Sequence, residues 1–336
     1  MKIFVVVNHV REIGFRQTTA LLIAAFVRLG HEVSIASVDG LSVDASPESN
    51  GNEGPRFLIR CKTLPAKENC DFGTVEDFSA SQSPLSEQVI SPGDLIFIRT
   101  NPGREKQRIS THDGFMNLCQ AAKLNGIRVE NDPGHMNYFA NKASLIALDP
   151  QYRSPLLVSN KVQDIVEFVR RSNRNCIVKS LVGMGGQSVA RVRHDEAGLE
   201  SLIRSIFGTQ CVVAQHFAEA NHPGDKRAVV LDGKVLELDG HLAGIERRPA
   251  GKDFRANLHD GGTAHPLTLD ESAMASAEYA ADMLFQHGIR LAGVDLVGDK
   301  IIEFNVFSPG GLFDAESYSG VDFSEAIAKK ITADPI

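Results

Sequence analysis

Hydrophobic and polar positions along the first third of the chain switch between two periods. Residues 2–7 are a short apolar run, residues 17–29 carry a helical pattern, and residues 32–36 and 94–98 are again apolar runs of strand length. Strands punctuated by helices predict a parallel, Rossmann-like sheet. Residues 41–56, which include SPESNGNEGP, and residues 79–93, with two prolines, read as surface loops. A helix over residues 112–125 feeds a strand at 127–130, and Asn131, Asp132, Pro133 and Gly134 then break the pattern, so a first domain is expected to span residues 1–130.

From residue 156 the texture becomes short strands and hairpins mixed with helices, an α+β unit over residues 131–336 with lobes at about 131–213 and 214–336. Asn160 reads as the N-cap of a helix over 162–171, with Gln163 closing a capping box. Strands are expected at 175–179, 188–192 and 211–216, and a helix at 195–207. Asp232-Gly233 between strands at 226–231 and 234–241 is a strong type I′ hairpin signal. Asp270 caps a last long helix that runs to His287, and residues 291–297 and 300–307 form a hairpin around Gly298-Asp299.

The chain has 336 residues, enough for about two domains. Lys plus Arg number 35 against 42 Asp plus Glu, a net charge of -7, and no long basic run offsets that balance. Nucleic acid is therefore not an expected partner. The cysteines Cys61, Cys70, Cys119, Cys176 and Cys211 are odd in number, widely spaced and without a Cys-x-x-Cys, which reads as a reducing cytoplasm. The first apolar run stops at Asn8 with no cleavage site behind it, and no run reaches the roughly 18 residues that cross a bilayer. A first strand is expected there, and no membrane partner.

Two constellations carry candidate chemistry. In the first, Gly183, Gly185 and Gly186 follow Lys179 between two strands, a context that excludes both a Walker A loop and a dinucleotide fingerprint. Glycines let backbone N–H groups approach phosphate oxygens while the lysine supplies a point charge. For the loop alone, an ordinary hairpin turn with a solvated lysine reads equally well. In the second, Asp295, Glu303 and Asn305 sit inside the apolar runs LAGVDLV and IIEFNVF, where acidic groups are seldom buried unless paired or bound to a cation. A strict two-residue turn at Gly298-Asp299 sets Asp295 opposite Ile302 and leaves Glu303 on the other face. A three-residue loop, residues 298–300, sets Asp295 opposite Glu303; this form is expected, since its glycine suits a positive φ. Hard oxygen donors of this kind suit Mg²⁺ shared with nucleotide phosphates rather than Zn²⁺.

Asn141-Lys142, IVKSLVGMGGQSV, CVVAQHF, GDKRAVVLDG, FRANLHDGG, LAGVDLVGD and IIEFNVFSPGG occur in an order that resembles the prokaryotic-type glutathione synthetases of the ATP-grasp ligase fold. The resemblance spans nearly the whole chain, with DLIFIRTNPG and GIRVENDPG included, and is weaker before about residue 90. It implies an ATP-grasp domain behind a Rossmann-like N-terminal domain, and an ATP- and Mg²⁺-dependent ligase joining γ-glutamylcysteine to glycine through an acyl phosphate. The cofactors implied are ATP and two Mg²⁺ ions, for which Mn²⁺ can substitute; the assembly implied is a homo-oligomer, a tetramer. By position, Lys142 and Lys179 contact the nucleotide, Gln215, His216, Phe217 and Ala218 form the hinge that reads adenine, and Asp225 addresses the ribose. Asp295, Glu303 and Asn305 hold Mg²⁺; Arg227, Arg255 and Asn257 surround the transferring phosphoryl group. Arg99 grips a carboxylate of γ-glutamylcysteine, and Ser308, Pro309 and Gly310 line the glycine end.

Charge logic agrees with this set, because two anions are brought together only with metal and guanidinium charge at the site. No protein nucleophile is needed, and neither a Gly-x-Ser-x-Gly elbow nor a His-Glu-x-x-His is present. Arg247 and Arg248 read as surface ion pairs; His216, His241 and His259 have no ligand spacing. Two features depart from the family. Residues 245–254, IERRPAGKDF, look like a longer mobile loop with less glycine, and Phe307 stands where a small hydroxyl residue is usual. They keep open a ligase with another donor or amine. A silent nucleotide-binding module ranks below both, because its mark would be erosion of Asp295, Glu303 and Asn305.

Overall fold

The computed structural model describes residues 1–46, 54–104, 106–181, 189–218, 224–249 and 261–333. Its N-terminal sheet holds β1 (Lys2–Val7), β2 (Glu32–Asp44), β3 (Arg56–Thr63), β4 (Ser86–Ile90), β5 (Leu95–Ile98) and β6 (Arg128–Glu130), in the order β4-β3-β2-β1-β5-β6. The four strands β2, β1, β5 and β6 are parallel, as the alternation of strand and helix predicts. The sheet is nevertheless mixed: β3 and β4 add an antiparallel edge. Both segments read as loops thus contain strand. Their polar composition conceals a buried side made by Leu41, Phe57, Ile59 and Ile90, and a register shift between Ala36 and Leu41 lets β2 run on into them.

Helix α1 (Thr18–Arg28) is buried at every position from Thr18 to Val27. A helix apolar all round needs cover on all sides. The sheet supplies one side, and the C-terminal helix supplies another through Phe323, Ile327, Ala328 and Ile331, so the chain's end returns to its beginning. Helices α2 (Phe72–Ala80), α3 (Ile109–Leu124) and α4 (Pro133–Ala140) complete this region, and Asp71 and Asp132 cap α2 and α4 through the backbone N–H groups of Thr74 and His135.

A four-stranded antiparallel sheet follows, built from β7 (Leu156–Ser159), β8 (Cys176–Ser180), β9 (Val189–Val192) and β10 (Val212–His216), ordered β7-β10-β8-β9. One face packs on the amphipathic helices α5 (Val162–Ser172) and α6 (Leu199–Phe207). Asn160 does not cap α5. The N-cap is Lys161, which makes no side-chain capping bond; the Ser159 hydroxyl instead accepts from the Lys161 N–H at 3.0 Å and donates to Asp164 at 3.1 Å.

The last large sheet contains β11 (Asp225–Leu231), β12 (Lys234–Val235), β15 (Gly244–Arg248), β16 (Thr263–Pro266), β17 (Leu291–Val297) and β18 (Lys300–Asn305), while β13 (Glu237–Leu238) and β14 (His241–Leu242) pair apart from it. Asp232 and Gly233 both have positive φ, 49° and 82°, the type I′ turn predicted. Residues 245–248 of the segment read as a mobile loop are strand β15, and residues 250–254 lie outside the described residues. Helix α7 (Glu271–Gln286), capped by Asp270, covers this sheet; α8 (Leu312–Ser319) and α9 (Phe323–Thr332) lead back to α1.

Asn131, at the predicted break, clamps the two regions. Its amide donates to Leu291 O at 2.7 Å and Val306 O at 2.9 Å and accepts from the N–H groups of Arg290 and Leu291, so every hydrogen-bonding position is filled. All five cysteines are free, and among the described residues no helix is long and apolar enough to cross a membrane.

Candidate active site

Ladder register places the charged groups of the last sheet on one face. Arg227 on β11 lies opposite Asp295 on β17, and Asp295 lies opposite Glu303 on β18. Asp225 faces Arg247 on β15, and the two-residue period keeps Asp225 with Arg227 and Glu303 with Asn305. The expected facing of Asp295 and Glu303 is therefore present, but not by the expected route. The turn has two residues, with Val297 opposite Lys300 and Gly298 at φ 59°, and Ile302 is the extra residue of a bulge that restores the register. A bulge leaves its extra residue unpaired in the ladder. Here the Ile302 carbonyl accepts from Lys179 Nζ at 2.9 Å, so the irregularity both aligns the acidic pair and docks a lysine beside it.

Asp295 is the centre of this face. Arg227 grips it through two bonds of 2.7 Å, and Arg247 reaches its Oδ2 at 2.7 Å while holding both oxygens of Asp225 at 2.6 and 2.8 Å. Burial opposes the charge on Asp295, yet Arg227 and Arg247 overcome it and hold the carboxyl well below the usual carboxylate range. Asp225 goes the other way: burial raises it, only partly offset by Arg247, and the Asp295 charge adds to the rise. Arg247 is thus no surface ion pair; its side chain is 12% exposed because β16 flanks its strand, whereas Arg248 is 48% exposed and pairs with Glu246 as expected. Position 244 is what lets β15 come this close. Gly244 has φ 143°, and a Cβ there would stand 2.1 Å from the Arg227 carbonyl oxygen.

Lys142 and Lys179 converge on Glu303 from outside the sheet. Lys142 opens a 3₁₀ turn, Lys142–Ala147, pairs with Glu303 at 3.2 Å and donates its backbone N–H to Leu181 O at 3.0 Å. Lys179 is buried on β8, and that burial, opposed by Glu303 and reinforced by Lys142, pulls its ammonium down to about 8. Gln215 lies on the same face of the middle sheet as Lys179, buried, with its Nε2 unpartnered. The rest of the predicted hinge behaves differently. His216 points to the helix side and packs against Phe168, the Phe217 ring lies under Arg191 at 4.2 Å, and Ala218 is the last residue before 219–223. Gly183, Gly185, Gly186, Arg255, Asn257 and His259 lie outside the described residues.

Arg99, at the end of β5, is 4% exposed and has no carboxylate partner among the described residues. It donates to Thr19 Oγ1 and to the Pro309 carbonyl, each at 3.3 Å, and burial pulls its guanidinium down to about 9. Pro309 in turn lies against Gly293, where an added Cβ would sit 3.2 Å from Pro309, 3.3 Å from Arg227 and 3.4 Å from Asn305. The predicted residues are therefore contiguous from Arg99 through Pro309 and Arg227 to Glu303 and Lys179, with Ser308 and Gly310 half-buried beside Pro309. Phe307 does not line this tract openly; it is buried with its ring 5.1 Å from that of His112.

A hard divalent cation fits the donor set in chemistry. Asp295, Glu303 and Asn305 offer oxygens on one face, and the buried Nδ2 of Asn305 has no partner. Among the described residues no three His, Cys, Asp or Glu side chains gather as a metal set, so the amide is needed to complete it. Both Asp295 oxygens already accept guanidinium bonds, which leaves Glu303, 31% exposed, as the more open ligand.

Three sheets with paired lysines over an acidic, arginine-braced face define an ATP-grasp ligase. A solved D-cycloserine synthetase shares the fold, with a TM-score of 0.63 at 15% identity over 98% of this chain and 99% of that one, and the ATP-grasp ligase PsnB gives 0.60 at 13% identity over 98% and 97%. The family model for the prokaryotic glutathione synthetase ATP-grasp domain matches residues 143–320, and the chain belongs to that family. A glutathione synthetase of Prochlorococcus marinus subsp. pastoris is 28% identical over 98% of this chain and 99% of its own, and one of Pseudomonas putida is 30% identical over 82% and 84%. The protein is an ATP-dependent carboxylate–amine ligase.

Proposed function

We propose that the enzyme joins γ-glutamylcysteine to glycine at the expense of ATP, giving glutathione, ADP and phosphate. The observation that carries this reading is the run of contiguous residues from Arg99, which has no carboxylate partner among the described residues, to the Glu303–Lys142–Lys179 cluster, which suits a donor with carboxylates at both ends. A donor carboxylate oxygen attacks the γ-phosphorus and ADP leaves; the glycine amine then attacks the acyl carbon and phosphate leaves. Lys179 and Lys142 neutralise phosphate charge, Arg227 stands over the transfer, and Asp295, Glu303 and Asn305 would hold one or two Mg²⁺ ions, whose chemistry is to spread charge across the phosphates. A solved complex of the ligase PsnB, alike in fold, contains Mg and ADP. Gln215 is assigned to the adenine end, since it shares a face with Lys179; Asp225, held on both oxygens by Arg247, is assigned to bracing Arg247 rather than to the ribose.

The test is phosphate release from Mg·ATP by purified protein with γ-glutamylcysteine and glycine added singly and together, followed by mass identification of the product. Release that needs both, with glutathione formed, supports the reading. Release only with other donors or amines replaces the substrates while leaving the ligase chemistry in place.

A further inference from the structure

His135 and His287 form a pair of imidazoles that the ligase chemistry does not use. His135 lies in the first turn of α4 and His287 at the C-terminal end of α7, both exposed, with ring centroids 5.3 Å apart and planes at 75°. The two elements are fixed on each other. The Asp132 N–H donates to the Gly288 carbonyl at 3.0 Å, a Cβ added to Gly288 would stand 2.8 Å from Asp132 Cβ, and the Phe139 ring packs 5.3 Å from that of His287. Each imidazole also has its proton placed by an oxygen that only accepts. His135 Nδ1 lies 2.9 Å from Asp132 Oδ1, and His287 Nδ1 lies 2.8 Å from Met283 O. Burial opposes the charge on Asp132, but Lys123 and His135 outweigh it and hold the carboxyl below its usual range, so it stays an acceptor. Lys123 takes its other oxygen, which leaves Oδ1 to His135.

Both neutral rings are therefore Nδ1–H tautomers with the lone pair on Nε2, and among the described residues neither Nε2 has a partner. A carboxylate or carbonyl behind Nδ1 is the arrangement that orients metal-ligating histidines. Tetrahedral Zn²⁺ with nitrogen ligands at about 2.0–2.1 Å sets the centroids of two imidazoles roughly 5 Å apart, and the observed spacing matches. We propose that His135 and His287 bind a borderline divalent transition ion, Zn²⁺ foremost, through their Nε2 atoms, and that the ion staples α4 to the end of α7. Among the described residues no third His, Cys, Asp or Glu joins the pair, so water completes the shell and affinity rests on both rings. Imidazole nitrogens select Zn²⁺, Cu²⁺ or Ni²⁺ over Mg²⁺, which prefers oxygen, so this site does not compete for the ion of the acidic face. α4 leads into Lys142 and α7 into the strand of Asp295, so the staple fixes the roots of both.

The experiment titrates Zn²⁺ calorimetrically into the full chain, without nucleotide and with Mg²⁺ in excess to occupy oxygen sites, and repeats the titration for His135→Gln, His287→Gln and Asp132→Asn. One site per chain is expected in the wild type. Asp132→Asn keeps a capping side chain and should weaken the site about tenfold, and each glutamine variant, which removes a ligand, should weaken it further. Thermal unfolding reads the same site through the fold. Zn²⁺ should raise the midpoint of the wild type and of neither glutamine variant, because the two rings are far apart in the unfolded chain. No Zn²⁺ binding by the wild type, or equal affinity in the wild type and both glutamine variants, overturns the staple. If a variant does not fold, anomalous scattering from wild-type crystals soaked in Zn²⁺ decides: a peak shared by His135 and His287 upholds the site, and no peak between them overturns it.

Discussion

The acidic face of the last sheet and the Arg99 corner of the first sheet hold similar cations in opposite ways. Around Asp295, two guanidiniums and two carboxylates compensate one another within a single ladder. At Arg99 the charge is just as buried, yet among the described residues it meets a hydroxyl, a carbonyl and the Phe97 ring but no carboxylate. The first arrangement pairs its charges within the protein; the second leaves a buried guanidinium without a carboxylate partner among the described residues. Stability should therefore reside in the former and donor recognition in the latter.

The largest effect expected is on turnover. Glu303→Gln keeps shape and removes the open ligand charge, so Mg·ATP-dependent phosphate release should fall by at least about a hundredfold with the circular dichroism spectrum unchanged. Retained turnover would remove Glu303 from the metal set. Next comes Asp295→Ala, which strands Arg227 and half of Arg247; urea unfolding should show a loss of about 3–5 kcal/mol. Arg99→Met should behave in the contrary sense, with unfolding free energy equal or about 1 kcal/mol higher while KM for the donor rises steeply. A comparable loss of stability in both variants would erase the distinction between the two regions.

A smaller, graded effect comes from Lys179. Its folded value of about 8 lies below the ordinary 10.5, so between those values the unfolded chain binds more protons and stability rises with pH. Nucleotide affinity should fall over the same range as the ammonium is lost. Unfolding curves from pH 8 to 10.5 on wild type and Lys179→Met check the slope, which should be shallower in the variant.

The type I′ turn at Asp232-Gly233 and the cap at Asp270 were legible because each is a local rule acting within four residues. So were the parallel core of the first sheet and the residues of the acidic face, since apolar runs make their carboxylates conspicuous. What escaped was non-local. The strands β3 and β4 depend on a register shift in β2, and the bulge at Ile302 depends on Lys179 from another sheet as much as on its own turn. Arg247 looked like a surface residue because nothing in the local sequence reveals that Asp225 and Asp295 flank it; Gly244, followed by a strand, was the available signal of a close approach. Asn131 read as a break, and its four clamping bonds reach residues about 160 or more positions away.

On the proposed reading one tract runs from Arg99 to Glu303 and binds the donor across it. Phosphate release from Mg·ATP with γ-glutamylcysteine and glycine, measured for wild type, Arg99→Met and Glu303→Gln, tests it most directly. Excess donor should rescue Arg99→Met and should not rescue Glu303→Gln. Rescue of both, or a loss in Arg99→Met that follows ATP concentration instead of donor concentration, would contradict it.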